Sequence, residues 1–160
     1  MVSRSSRAKR RRKMSTWGIL GCGTIANEMA ETFIKMGHEI YGVSNRTLEK
    51  AEKFAETYGV KHVFKTYEEM LADEKIDIIY IATPHSRHYE NMKQAVKAGK
   101  YVLCEKAITV NAAQLEEVLK LAEKKHVVVR EAMTISHMPL YKKLKERIKE
   151  GAIGKTKMVQ

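Results

Sequence analysis

Two clusters in this 160-residue chain carry residue types and spacings suited to chemistry. The first is Gly21-Cys22-Gly23-Thr24-Ile25-Ala26, two glycines one residue apart between an apolar run and a helical pattern. Gly21 allows a tight turn, Gly23 lets the backbone approach a pyrophosphate, and Ala26 takes the small position where a helix packs on a strand. The unpaired N–H groups of the helix that opens at Thr24 and Ile25 add a partial positive charge for phosphates. A plain glycine turn in an unrelated α/β protein shows the same spacing, so context must decide. The second cluster is Glu105-Lys106, directly after the apolar segment "YVLC". Oxidising an alcohol by hydride transfer needs a group that takes the hydroxyl proton, and a lysine whose pKa falls on burial can do so. Glu105 could hold that ammonium or contact the nicotinamide ribose. Such a pair is ordinarily a solvated surface pair; its place after a buried strand raises the functional reading.

Two further stretches sit at corresponding points. A dinucleotide fingerprint usually carries an acid after its second strand to grip the ribose 2′-hydroxyl, but here the sequence reads Ser44-Asn45-Arg46-Thr47. A hydroxyl, an amide and a guanidinium can bind a 2′-phosphate that a carboxylate would repel, which favours NADP over NAD. The plainer reading stacks Arg46 on the adenine or leaves it in solvent. In "ATPHSRH", Ala82, Thr83 and Pro84 fall where ligands bind outside the carboxyl ends of such strands, and His85 and His88 can share one side of the following helix. Two histidines make a poor metal site, so capping or lining the cleft is the expectation, with no metal.

These clusters need an alternating framework, and the pattern supplies one. Strands are expected at "TWGIL", "EIYGVS", "HVF", "IDIIYIA", "YVLC" and "VVVRE". Helices are expected from Thr24 to Met36, Thr47 to Tyr58, His85 to Ala98, Asn111 to Lys125 and Leu140 to Glu150. Thr66 with Glu69 has the form of a capping box opening a brief helix to Ala72. The isoleucine-rich "IDIIYIA" suits a strand buried on both faces. The alternation implies a doubly wound α/β domain, a parallel sheet with helices on both sides.

Bulk properties bound the partners. At 18.3 kDa the chain suits one domain. Hydrophobic residues at 44% and charged residues at 31% fit a globular protein without a membrane span. The net charge of +11 looks like a nucleic-acid signal, yet seven of the 30 basic residues lie in "MVSRSSRAKRRRK", residues 1–13. Without them 23 basic residues face 19 acidic ones, so the excess is mostly a tail. A disordered extension is preferred to a nucleic-acid arm. Cys22 and Cys104 fit neither a zinc site nor a disulfide framework, and point to reduced thiols in the cytoplasm.

Taken in order, "WGILGCGTIA", "VSNRTLEKAEKFAETYG", "IYIATPHSRHYENMKQAVKAGKYVLCEKA" and "GAIGKTKMVQ" closely resemble the N-terminal half of the glucose-fructose oxidoreductase, inositol dehydrogenase and MocA family (Gfo/Idh/MocA). The resemblance implies a Rossmann domain at residues 14–154 and the start of a second, α/β substrate domain at 155–160. It also implies NAD or NADP, a sugar, cyclitol, diol or related carbonyl substrate, and usually a homo-oligomer. Lys106 matches the active-site lysine of the family's Glu-Lys-Pro motif, and Glu105 the preceding acid. Ala107 stands where that motif has proline, removing a fixed φ and low-cost access to a cis bond. A further acid/base histidine of the family would fall beyond residue 160; His137 could line the cleft or simply pack. The expectation is a chain that binds a dinucleotide and has little activity alone, with apolar surface exposed around "VVVREAM". The competing readings are a non-catalytic dinucleotide-binding or redox-sensing module, a nucleic-acid binder, and a methyltransferase, which would leave "CEKA" unexplained.

Overall fold

The computed structural model describes residues 15–155 and 157; the basic extension and most of the expected start of a second domain at 155–160 lie outside them. Six parallel strands form one sheet: β1 (Trp17–Leu20), β2 (Ile40–Ser44), β3 (His62–Phe64), β4 (Ile78–Ile81), β5 (Tyr101–Cys104) and β6 (Val129–Glu131). Their order is β3-β2-β1-β4-β5-β6. The chain winds outward from β1 through β2 to β3, then returns to the other side of β1 for β4. The sheet is therefore doubly wound, as expected, and its direction reverses between β1 and β4. A crevice forms at such a reversal, outside the carboxyl ends of the strands.

The crossovers are α1 (Thr24–Lys35), α2 (Leu48–Tyr58), α3 (Tyr67–Ala72), α4 (His85–Lys97) and α5 (Ala112–Lys125). A short 3-10 helix (Thr134–His137) and α6 (Pro139–Lys149) follow β6. The expected elements are present, with ends moved by one or two residues. Thr47 and Asn111 stand outside their helices as N-caps, and the Asn111 side chain accepts the Gln114 N–H. Thr66 likewise accepts the Glu69 N–H, while the Glu69 carboxyl accepts the N–H of Lys65 rather than that of Thr66. "VVVRE" pairs over only Val129–Glu131.

Strand alternation sorts side chains into two cores. Ile79 and Ile81 join Leu20, Met92, Val96 and Val118 under α4 and α5. Tyr80 and Ala82 join Ile19, Ala26, Phe33 and Phe54 under α1 and α2. Burying a side chain such as Ile79 contributes about 1.5–3 kcal/mol, so an uninterrupted apolar β4 is what a strand packed on both faces requires. The last segment differs: α6 has no buried residue, and Met133, Ile135, Met138, Leu140 and Leu144 are exposed. Among the described residues no helix is long and apolar enough to cross a membrane.

Candidate functional site

Register gathers the candidate residues at one edge. Leu20 lies opposite Ile81 and Ser44, and Ile81 opposite Cys104. The next residues, Gly21, Asn45, Ala82 and Glu105, thus stand in a row at the carboxyl ends of β1, β2, β4 and β5. The ladder continues one step further: Gly21 N–H donates to Ser44 O, Ala82 N–H to Leu20 O and Glu105 N–H to Ile81 O.

The two glycines do different work. Gly21 has φ +94, and a Cβ there would lie 2.7 Å from the Ala82 carbonyl oxygen. That backbone conformation and that approach both require glycine. Gly23, the N-cap of α1, has an ordinary φ of −80, and a Cβ would meet nothing within 4 Å. The fold leaves this space open, and a ligand approaching the backbone can use it. Gly23 has no side chain to cap α1 and the first turn has no acid, so the N–H groups of Thr24, Ile25 and Ala26 keep their pull on an anion. Ala26 is fully buried against the sheet.

These glycines open onto a cavity of about 940 Å³, large enough for a cofactor. Its floor is the glycine turn with Ala82, Thr83 and Pro84; its wall carries four cations, Arg46, Lys50, Lys65 and Arg87, against two carboxylates, Glu68 and Glu90. Asn45 braces the turn, accepting the Cys22 N–H at 3.3 Å and donating to Thr47 O at 3.0 Å. Ser44 is fully buried and its hydroxyl has no partner; like Thr24, Ile25, Ala26, His88, Glu105 and Lys106, it is not part of the cavity wall. As the last residue of β2 it faces a core, so the net positive charge of the wall rests on Arg46 with Lys50, Lys65 and Arg87, which outnumber Glu68 and Glu90. One signal marked Lys50: it is a cation in the first turn of α2, where the helix dipole disfavours it.

The lysine loop is built by side chains from several elements. Glu105 is buried, and its carboxyl group turns inward, accepting the Tyr80 hydroxyl at 2.6 Å and the Lys106 N–H at 3.3 Å. Burial, and secondarily the Glu105 bond, push the Tyr80 phenol well above its ordinary pKa, so it remains a donor. Glu105 makes no ion pair with the Lys106 ammonium, contrary to the expected grip, and Lys106 is exposed rather than buried. Alanine argues against a cis bond here, yet the Lys106–Ala107 peptide is cis. His88, expected at the cofactor, is fully buried beneath the cleft: Nε2 lies 2.8 Å from Thr83 O and Nδ1 2.9 Å from Ala107 O. Asn91 donates to the Thr83 hydroxyl at 2.8 Å. His137 is exposed in the 3-10 helix and is not part of the cavity wall.

A doubly wound sheet with a glycine turn and an open helix N-terminus at its reversal point defines a Rossmann domain of the dinucleotide-binding class. Residues 15–133 match the family described as "Oxidoreductase family, NAD-binding Rossmann fold", and the chain belongs to that Gfo/Idh/MocA family. It is 32% identical to trans-1,2-dihydrobenzene-1,2-diol dehydrogenase of Xenopus tropicalis, over 90% of this chain and 44% of that protein. It is 39% identical to D-xylose 1-dehydrogenase (NADP(+)) of Hypocrea jecorina, over 86% of this chain and 39% of that one. KijD10, a 3-ketoreductase from Actinomadura kijaniata solved with NADP, superposes with a TM-score of 0.82 at 27% identity, covering 88% of this chain and 45% of that structure. The chain thus spans less than half the length of these relatives.

Proposed function

We propose that the cleft binds NADP(H) in preference to NAD(H), and that the chain is the cofactor-binding part of an oxidoreductase acting on a sugar, cyclitol, diol or related carbonyl compound. The open space at Gly23, above an uncapped helix N-terminus and inside a cavity with a basic wall, carries this reading. The N–H groups of Gly23, Thr24, Ile25 and Ala26 hold the pyrophosphate. Arg46, next to Asn45 in the cavity wall, pairs with a 2′-phosphate, and Lys50 and Lys65 add positive charge. Ala82, Thr83 and Pro84 form the floor toward the nicotinamide. When bound, the cofactor accepts or donates a hydride. Lys106 exchanges the proton of the substrate hydroxyl or carbonyl oxygen, and Glu105 orients the lysine through its backbone N–H rather than its ammonium. Two free cysteines fit a reducing cytoplasm, and the exposed apolar residues of α6 fit a homo-oligomer.

Exposure of Lys106 favours a second reading, a dinucleotide-binding or redox-sensing module without turnover. Calorimetric titration with NADPH and NADH tests the first claim. Trp17 is a poor reporter, because it packs on Phe33 at the far end of β1, roughly 13 Å from the turn. The proposal expects saturable binding of both, about tenfold tighter for NADPH; a folded chain that binds neither refutes it. Turnover of D-xylose or a trans-dihydrodiol with NADP, measured with the second half of a relative fused to the chain and abolished by Lys106→Ala, separates enzyme from module.

A further inference from the structure

The three residues after Glu105 are each held by a side chain, two of them from other elements. Lys106 N–H donates to the Glu105 carboxyl group on β5's end, Ala107 O receives His88 Nδ1 from α4, and Ile108 N–H donates to Glu131 Oε1 of β6 at 2.9 Å. His88 also reaches Thr83 O, in the cofactor floor, with its other nitrogen. One buried ring therefore spans the β4 end of the cleft and the lysine loop, and Glu131 holds the loop from the opposite side. We propose that His88 and Glu131 are positioning residues that clamp the Lys106 loop in register with the cofactor floor. The proposal rests on the reading of Lys106 as the proton-transfer group, and it extends that reading to two residues that touch neither cofactor nor substrate.

The chemistry of the ring makes the clamp specific. Both of its partners are carbonyl oxygens, which only accept. A neutral imidazole serves one of them; a ring carrying both protons serves both. A proton on Nδ1 holds the loop to the ring, and one on Nε2 adds the bond to Thr83. Thr83 is fixed by Asn91, which donates to its hydroxyl, and its carbonyl oxygen lies 2.8 Å from His88 Nε2, so it is a set point beside which the loop is held.

Amide placement allows the two His88 contacts to be separated. Asn puts its nitrogen near the position of Nδ1 and retains the bond to Ala107; Gln puts its nitrogen near Nε2 and retains the bond to Thr83. Hydrogen exchange over residues 105–109, followed by mass spectrometry on the full chain, should quicken about tenfold in His88→Gln and in Glu131→Ala. It should return toward the parent rate in His88→Asn and Glu131→Gln, while α1 and β2 keep their protection throughout. Acylation of Lys106 by an amine-reactive ester, measured against Lys124, should change in the same two variants and recover in the same two. Side-chain 15N resonances of His88 should show a proton on Nδ1.

Unchanged loop exchange in both disruptive variants, or an equal rise across the whole chain with no rescue by the conservative ones, would reduce the pair to packing and overturn the clamp. A His88 proton confined to Nε2 would overturn its half. Should His88→Gln fail to fold, Glu131→Ala against Glu131→Gln still decides. Because loop exchange is read without turnover, an inactive Lys106 leaves the result intact, and the two failures stay distinguishable.

Discussion

The glycine turn and the lysine loop lie at the same edge of the sheet, yet they are made in opposite ways. Residues 21–26 take their shape from the backbone: a positive φ at Gly21, a close approach to Ala82, and a helix that opens without a side-chain cap. Residues 105–108 take theirs from Tyr80, His88 and Glu131, three side chains from β4, α4 and β6. The backbone-built site shows in its own stretch of sequence through its glycines, whereas the side-chain-built one is visible only in the finished fold. The second depends on every element around it.

The largest effect should come from breaking the turn. Gly21→Ala forces a Cβ against the Ala82 carbonyl in a conformation L-residues avoid, and should cost roughly 3 kcal/mol. For a chain of this size that lowers Tm by about 6–12 °C in a thermal melt. Next is the foundation of the loop. Tyr80→Phe removes the hydroxyl that Glu105 accepts at 2.6 Å, leaves a buried carboxyl oxygen short of a partner, and should cost about 1–3 kcal/mol by denaturant unfolding. If the two regions differ as argued, NADPH affinity should change much less in Tyr80→Phe than Tm does.

Binding variants sharpen the comparison on the cofactor side. Arg46→Ala should weaken NADPH binding roughly 10–100-fold, the worth of a charge-assisted hydrogen bond, and leave NADH binding within about twofold. Equal losses for both cofactors would move Arg46 from the 2′-phosphate to the adenine. The smallest effect concerns the thiols, one in each region. Burial pushes both Cys22 and Cys104 up to about 12, against the modest pull of Lys50 on Cys22. Both should resist iodoacetamide at pH 8 in the folded chain and react once it is denatured, as read by mass spectrometry.

This contrast also explains what could be read from the sequence. The alternation of strands and helices, the glycine turn, the acid-free stretch after β2 and the Thr66 cap all show in neighbouring residues of the chain, and each is legible. Ser44 was misread because a terminal strand residue faces either cleft or core according to a period-2 register that the sequence alone did not fix. Glu105 and His88 were assigned to the cleft because they flank it in sequence; their side chains turn into the interior toward Tyr80, Thr83 and Ala107. Glu131 gave no local signal, since its partner Ile108 lies 23 residues away.

The most direct test of the account is the NADPH affinity of Gly23→Ala beside that of the parent chain. The position has an ordinary φ and space for a methyl group, so a small loss of N-cap quality aside, the fold should be kept, with Tm within about 4 °C. If that space is where the pyrophosphate meets the backbone, affinity falls at least about tenfold. An alanine variant that melts like the parent and binds NADPH equally well would contradict the assignment of the glycine turn to the cofactor.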